Sequence, residues 1–94
     1  MAIRILVHLE ALPGKGAELA RVRAPRAAEV RQEPGCEQFE LFQSTENPDK
    51  LLLVERWTSQ ELLDAHAELN RQRPQVGAEL RSGAPGGAEH YIVD

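Results

Sequence analysis

Ile3, Ile5, Val7 and Leu9 share one parity near the start of the chain, while Arg4, Leu6, His8 and Glu10 share the other. A period of two predicts a β-strand with one wholly apolar face. Pro13-Gly14-Lys15-Gly16 ends it, and Leu19, Val22 and Val30 then fall on the broad face of a helix over about residues 17–32. Pro25 lies inside that stretch, where a proline removes a backbone hydrogen bond at a cost of about 3 kcal/mol. Two outcomes stay open: a kink, or a break with the helix restarting at Pro25.

Glu33-Pro34-Gly35 closes the helix, and residues 36–44 read as a second strand with Phe39 and Leu41 on one parity and Glu40 and Phe42 on the other. Asn47-Pro48-Asp49 suits a type I turn and predicts an antiparallel hairpin into a third strand over 51–57. There Leu51, Leu53, Glu55 and Trp57 oppose Leu52, Val54 and Arg56, so both faces are apolar enough to need cover.

Thr58-Ser59-Gln60-Glu61 has the form of a capping box with Thr58 as the cap, and Trp57 and Leu62 stand where a hydrophobic staple would join. Leu62, His66 and Leu69 follow on one inward face of a second helix. Pro74 suits the first position of a further short helix carrying Val76 and Leu80. Gly83 ends it, Ala84-Pro85-Gly86-Gly87 is loop, and the last strand covers 89–93. The order β-α-β-β-α-β predicts an α+β fold of ferredoxin-like type with an antiparallel sheet. Helices cover one face of such a sheet, and the cover available for the other is a second copy, so a homodimer is expected.

Composition narrows the function. At 94 residues and 10.5 kDa the chain has the size of one domain, and 41% hydrophobic with 28% charged residues is ordinary for a folded protein. Eleven Lys and Arg against fifteen Asp and Glu give −4, with the basic residues dispersed along the sequence from Arg4 to Arg81. Nucleic acid and anionic membrane surfaces are therefore not expected partners. Cys36 has no cysteine to pair with, and it forms no zinc-site spacing with His8, His66 and His90, so no metal is expected. Leu51-Leu52-Leu53-Val54 is far short of the roughly 20 residues that span a bilayer, and no basic-then-apolar leader opens the sequence; a cytoplasmic protein is expected. Phe39, Phe42, Trp57 and Tyr91 are the aromatic residues, which makes for a thin core that self-association would supplement.

Glu33-Pro34-Gly35-Cys36, Asn47-Pro48-Asp49, Glu55-Arg56-Trp57 and Ala65-His66, taken in this order and spacing, resemble the antibiotic biosynthesis monooxygenase family. The resemblance implies a dimeric α/β barrel in which two ferredoxin-like sheets face each other around a chamber. It also implies cofactor-independent oxygenation of a small aromatic or quinone-like molecule of the quinol or anthrone type. Other branches of the family cleave heme or isomerise a phosphorylated autoinducer. The heme branch uses a strand-one asparagine, and strand one here offers Arg4, His8 and Glu10 instead.

By similarity Trp57 matches a pocket tryptophan; as the staple partner of Leu62 it is equally a packing residue. His66 is either a proton acceptor, since histidine changes charge near neutral pH, or a hydrogen-bonded core group. His8, Phe42 and Tyr91 are candidates for substrate binding, with His8 also suited to a half-exposed strand position. Glu55 shares the parity of Trp57, so it either projects into the barrel or pairs with a cation such as Arg4 or Arg56 near the rim; the ion pair is the expected role. Cys36 has no adjacent cation in sequence to activate it. Alternative functions are an isomerase of a small carbonyl or sugar-like substrate using His66 with His8 or Glu55, and a non-enzymatic dimer that binds a small ligand.

Overall fold

A computed structural model of the chain describes residues 1–83 and 86–93, so the Ala84-Pro85 part of the expected loop lies outside the described residues. Seven elements follow in order: β1 (Ala2–Glu10), α1 (Gly16–Val30), β2 (Cys36–Gln43), β3 (Lys50–Trp57), α2 (Gln60–Gln72), a 3-10 turn (Ala78–Leu80) and β4 (Ala88–Val93). The strands form one sheet in the order β2-β3-β1-β4 with every neighbouring pair antiparallel, as the β-α-β-β-α-β reading requires. Among the described residues no helix is long and apolar enough to cross a membrane.

The parity of β1 decides which way the sheet faces. Ile3, Ile5 and Leu9 are buried with Phe39, Leu51, Leu53 and Trp57, and α1 contributes Leu19, Ala27 and Val30 to the same layer. Pairing places Ile3 opposite Trp57 and Ile5 opposite Glu55, so one residue of slip would turn this row away from the helices. Glu37 is the extra residue of a bulge between Cys36 and Gln38, after which Phe39 pairs with Glu55 and Leu41 with Leu53.

Helix α1 runs unbroken through Pro25, which settles the open choice against a break. Pro25 and Arg21, the residue whose carbonyl loses its i+4 donor, both lie on the exposed side, where water can satisfy that carbonyl. At the start of α1 the Asp49 carboxylate accepts from the amides of Gly14 and Gly16, both at 2.9 Å, which ties the β2–β3 turn to the helix. Gly16 cannot be replaced without movement, because a Cβ there would stand 1.9 Å from the Pro48 carbonyl oxygen.

Three local expectations are corrected. The cap of α2 is Ser59, whose hydroxyl accepts from the Leu62 amide, and not Thr58; the buried positions of the helix are Leu63 and His66, while Leu69 is 41% exposed. Pro74 does not begin a helix. The chain stays extended at Arg73, and Gly77, with φ +77°, turns it into the 3-10 turn at Ala78.

Candidate functional site

A cavity of about 510 Å³ lies between the sheet and the helices of the same chain, a size within the roughly 300–1,000 Å³ typical of ligand sites. Its floor is apolar, made by Val7, Leu9, Phe39 and Leu53 on the inward parity of three strands. Glu55 and His66 also line it.

Sequence places His66 there by way of a turn. Gly35 has φ +83°, and its missing Cβ leaves room for Leu62, whose Cδ1 would be 2.5 Å from such an atom. The Gly35 carbonyl accepts from the Thr58 amide at 2.9 Å, which holds the α1–β2 turn against the start of α2. His66 sits one helical turn beyond Leu62, so Glu33 in the same turn meets it: His66 Nδ1 is 2.8 Å from Glu33 Oε1. An ionised carboxylate only accepts, so Nδ1 is the nitrogen that donates to it, and in the neutral ring Nε2 is then the one with a lone pair. Arg73 Nη2 stands 2.7 Å from Glu33 Oε2, an ion pair off the axis of a good hydrogen bond. The three side chains are 9%, 10% and 15% exposed for His66, Glu33 and Arg73, which makes this a largely dry network.

Trp57 is wholly buried and stacks on the His66 ring, centroids 4.6 Å apart, while Phe39 meets that ring edge-on at 5.8 Å. The indole Nε1 donates to Glu55 Oε1 at 2.9 Å. Burial pushes the Glu55 carboxyl above the usual carboxylate range; the Trp57 hydrogen bond, and then the charges of His66, His90 and Arg23, act against this without cancelling it. The expected partnership of Glu55 with Arg4 or Arg56 is corrected. Glu55 shares the inward parity of Trp57, whereas Arg4 donates to Gln38 and Arg56 to Glu37 on the other face.

The five residues proposed from sequence divide between the two faces of the sheet. His66 and Trp57 are together under the helices. His8, Phe42 and Tyr91 are on the bare face, where His8 and Tyr91 both engage the Glu89 carboxylate. Hydrogen bonds from Tyr91 and then His8 hold Glu89 below the ordinary value, and Glu89 raises the Tyr91 phenol in return. The His66 cavity is thus bounded by helices of its own chain, not by a facing sheet as the barrel picture suggested. Cys36 is half-buried, and burial, followed by the Glu33 and Glu55 charges, pushes its thiol up and keeps it protonated.

Sequence reasoning passed over Glu33 and the cavity arginines. Parity alone marked Glu55 as inward-facing. Glu33 left no such signal, because its contact with His66 depends on the fold of the turn around Gly35.

A four-stranded antiparallel sheet, helices on one face and a carboxylate–imidazole network in the layer between them define a ferredoxin-like α+β protein with a cavity that titratable side chains line. The sequence model of the antibiotic biosynthesis monooxygenase family matches residues 2–74, and the chain belongs to that family. A Nitrosomonas europaea protein that carries the family's name superposes with a TM-score of 0.80 at 20% identity, over 96% of this chain and 88% of that one. A Mycobacterium tuberculosis protein gives 0.78 at 25% identity, over 99% and 95%. One from Shewanella oneidensis gives 0.79 at 25%, over 96% and 88%. No curated protein matches the sequence.

Proposed function

We propose that the protein is a cofactor-independent monooxygenase that oxidises a small aromatic of the anthrone or quinol type in the cavity between sheet and helices. The observation that carries this reading is the Glu33–His66 network. A buried carboxylate fixes the imidazole tautomer and leaves Nε2 as the base, beside an apolar floor that receives a ring.

For an anthrone-type methylene the reaction balances as R₂CH₂ + O₂ → R₂C=O + H₂O. His66 Nε2 takes one proton from the methylene, and Glu33 stabilises the imidazolium that forms. The carbanion transfers an electron to O₂, and recombination forms a C–O bond to a peroxide anion. That anion recovers the proton from His66. Loss of the second C–H hydrogen with cleavage of the O–O bond then gives the carbonyl and water. Glu55, whose carboxyl keeps its proton to higher pH than an exposed glutamate, is suited to donate a hydrogen bond to the developing oxyanion. The bare face, with Phe42 exposed and Leu6, Leu52 and Val54 half-buried, supports a homodimer joined sheet to sheet.

The test is an oxygen electrode with anthrone as substrate and flavin- and metal-free protein. One O₂ consumed per quinone formed without free hydrogen peroxide is expected, and a rate no higher than that of protein-free buffer refutes the proposal. A second reading is favoured by the pairing of Glu55 with His66 in one cavity. An acid and a base there could isomerise a small carbonyl compound, and this predicts exchange of a substrate C–H with deuterium from solvent and no oxygen uptake.

A further inference from the structure

The basic residues dispersed along this acidic chain are not dispersed in space. Five of its eleven cations, Arg23, Arg26, Arg71, Arg73 and Arg81, line the single cavity that holds His66. Three of them face carboxylates of the protein. Arg73 pairs with Glu33, Arg71 with Glu68 on the same helix, and Arg26 Nε stands 3.5 Å from Glu29.

Arg23 and Arg81 differ. Among the described residues neither meets a carboxylate at ion-pair distance. Arg23 Nη1 makes only a long bond, 3.4 Å, to the Val76 carbonyl. The fold brings the two together because the segment before the 3-10 turn docks on α1. Gly77 lies against Leu19 and Val22, where a Cβ would be 2.8 and 3.1 Å from their methyl carbons, and Arg81 follows directly after the turn. The crowding registers on Arg23. Burial lowers its guanidinium first and the charges of Arg81 and Arg26 lower it further, with Glu55 the opposing charge. A half-buried Arg23 and an exposed Arg81 facing one open cavity put like charges together, which raises the energy of the empty site, and an anion between them relieves it.

We propose that Arg23 and Arg81 form an anion subsite in this cavity, so that its ligand is an aromatic bearing a carboxylate or a phosphate ester. The apolar floor of Val7, Leu9, Phe39 and Leu53 takes the ring, and the two forked guanidiniums take the acid group through charge-assisted bonds. This deepens the reading above and rests on it for one point only, that the cavity is the substrate site.

Calorimetric titration without oxygen separates the two. The probes are 1,4-dihydroxy-2-naphthoate, its uncharged parent 1,4-dihydroxynaphthalene, and 1-naphthyl phosphate. At least one anionic probe is expected to bind ten times more tightly than the parent or better, and whichever is tighter identifies the acid group. Arg81→Gln, a change at an exposed side chain, is expected to remove about tenfold of that preference and leave binding of the parent unchanged; Arg81→Lys is expected to retain part of it. Equal affinity for charged and uncharged probes, or a preference unaltered by Arg81→Gln, overturns the subsite. An Arg81-dependent preference in the calorimeter, together with no oxygen uptake above buffer on anthrone or either dihydroxynaphthalene in the oxygen electrode, upholds the subsite and refutes the oxygenase. Uptake on uncharged anthrone with no preference for acids does the reverse.

Discussion

Glu33→Gln tests the network at its centre. The substitution keeps the shape of the side chain and removes the charge that faces both His66 and Arg73. Breaking a buried pair by removing one partner costs roughly 3–5 kcal/mol, because the partner's charge is left uncompensated. Arg73 retains 15% exposure and some access to water, so the low end, about 3 kcal/mol, is expected. In a domain of this length about 4–8 °C of melting temperature is lost per kcal/mol, which puts the expected drop at about 12–24 °C by circular dichroism. The amide can accept from Nδ1 but cannot balance an imidazolium, so turnover should fall at least about a hundredfold, the low end for a positioned acid–base group. The two readouts check each other. A variant that melts within about 2 °C of wild type and turns over at the wild-type rate would refute the account of the network.

The remaining predictions concern separate parts of the molecule. Because burial raises the folded-state pKa of Glu55 above its unfolded value, its contribution to stability is complete below the unfolded value and is lost as pH rises through the folded one. Glu55→Gln, which keeps an acceptor for Trp57, should therefore melt higher than wild type at neutral pH and lose that advantage in acid; a constant difference at all pH values would contradict this. Ser59→Ala should cost about 1 kcal/mol in urea unfolding by removing the cap on the Leu62 amide, and Thr58→Ala should cost less; the reverse order would restore the capping-box reading. Gly16→Ala should leave little folded protein by circular dichroism, since its methyl would enter the Pro48 carbonyl; a wild-type melting curve would mean the turn yields freely. The proposed sheet-to-sheet dimer predicts that the wild type sediments as two chains and Val54→Glu on the bare face as a single 10.5 kDa chain; equal masses for the two would overturn that contact.

Strand positions were legible because parity in β1 and β3 is clean, and parity also fixes which side chains share a face. The same rule, carried one step further, separates His8, Phe42 and Tyr91 from His66, since they sit on the parity opposite Ile5 and Trp57 and on the strands that pair with it. Helix phase was harder to read. Thr58 and Ser59 are both good caps, and in the fold the Thr58 amide is bonded to the Gly35 carbonyl while the Ser59 hydroxyl caps Leu62; which helix face turns inward, with Leu63 buried and Leu69 exposed, is set by packing on the sheet. Contacts made by turns were not legible at all. Glu33 reaches His66 across 33 positions of sequence, and Arg81 reaches Arg23 through the fold of a glycine at positive φ, so no local pattern announces either.

The state of one nitrogen bears most directly on the proposed chemistry. Nitrogen NMR of the ¹⁵N-labelled protein near neutral pH should show His66 as the Nδ1–H tautomer, with the Nε2 resonance moving when 1,4-dihydroxynaphthalene is added without oxygen. A proton found on Nε2, or an Nε2 signal indifferent to the ligand, would contradict the claim that His66 is the base in this cavity.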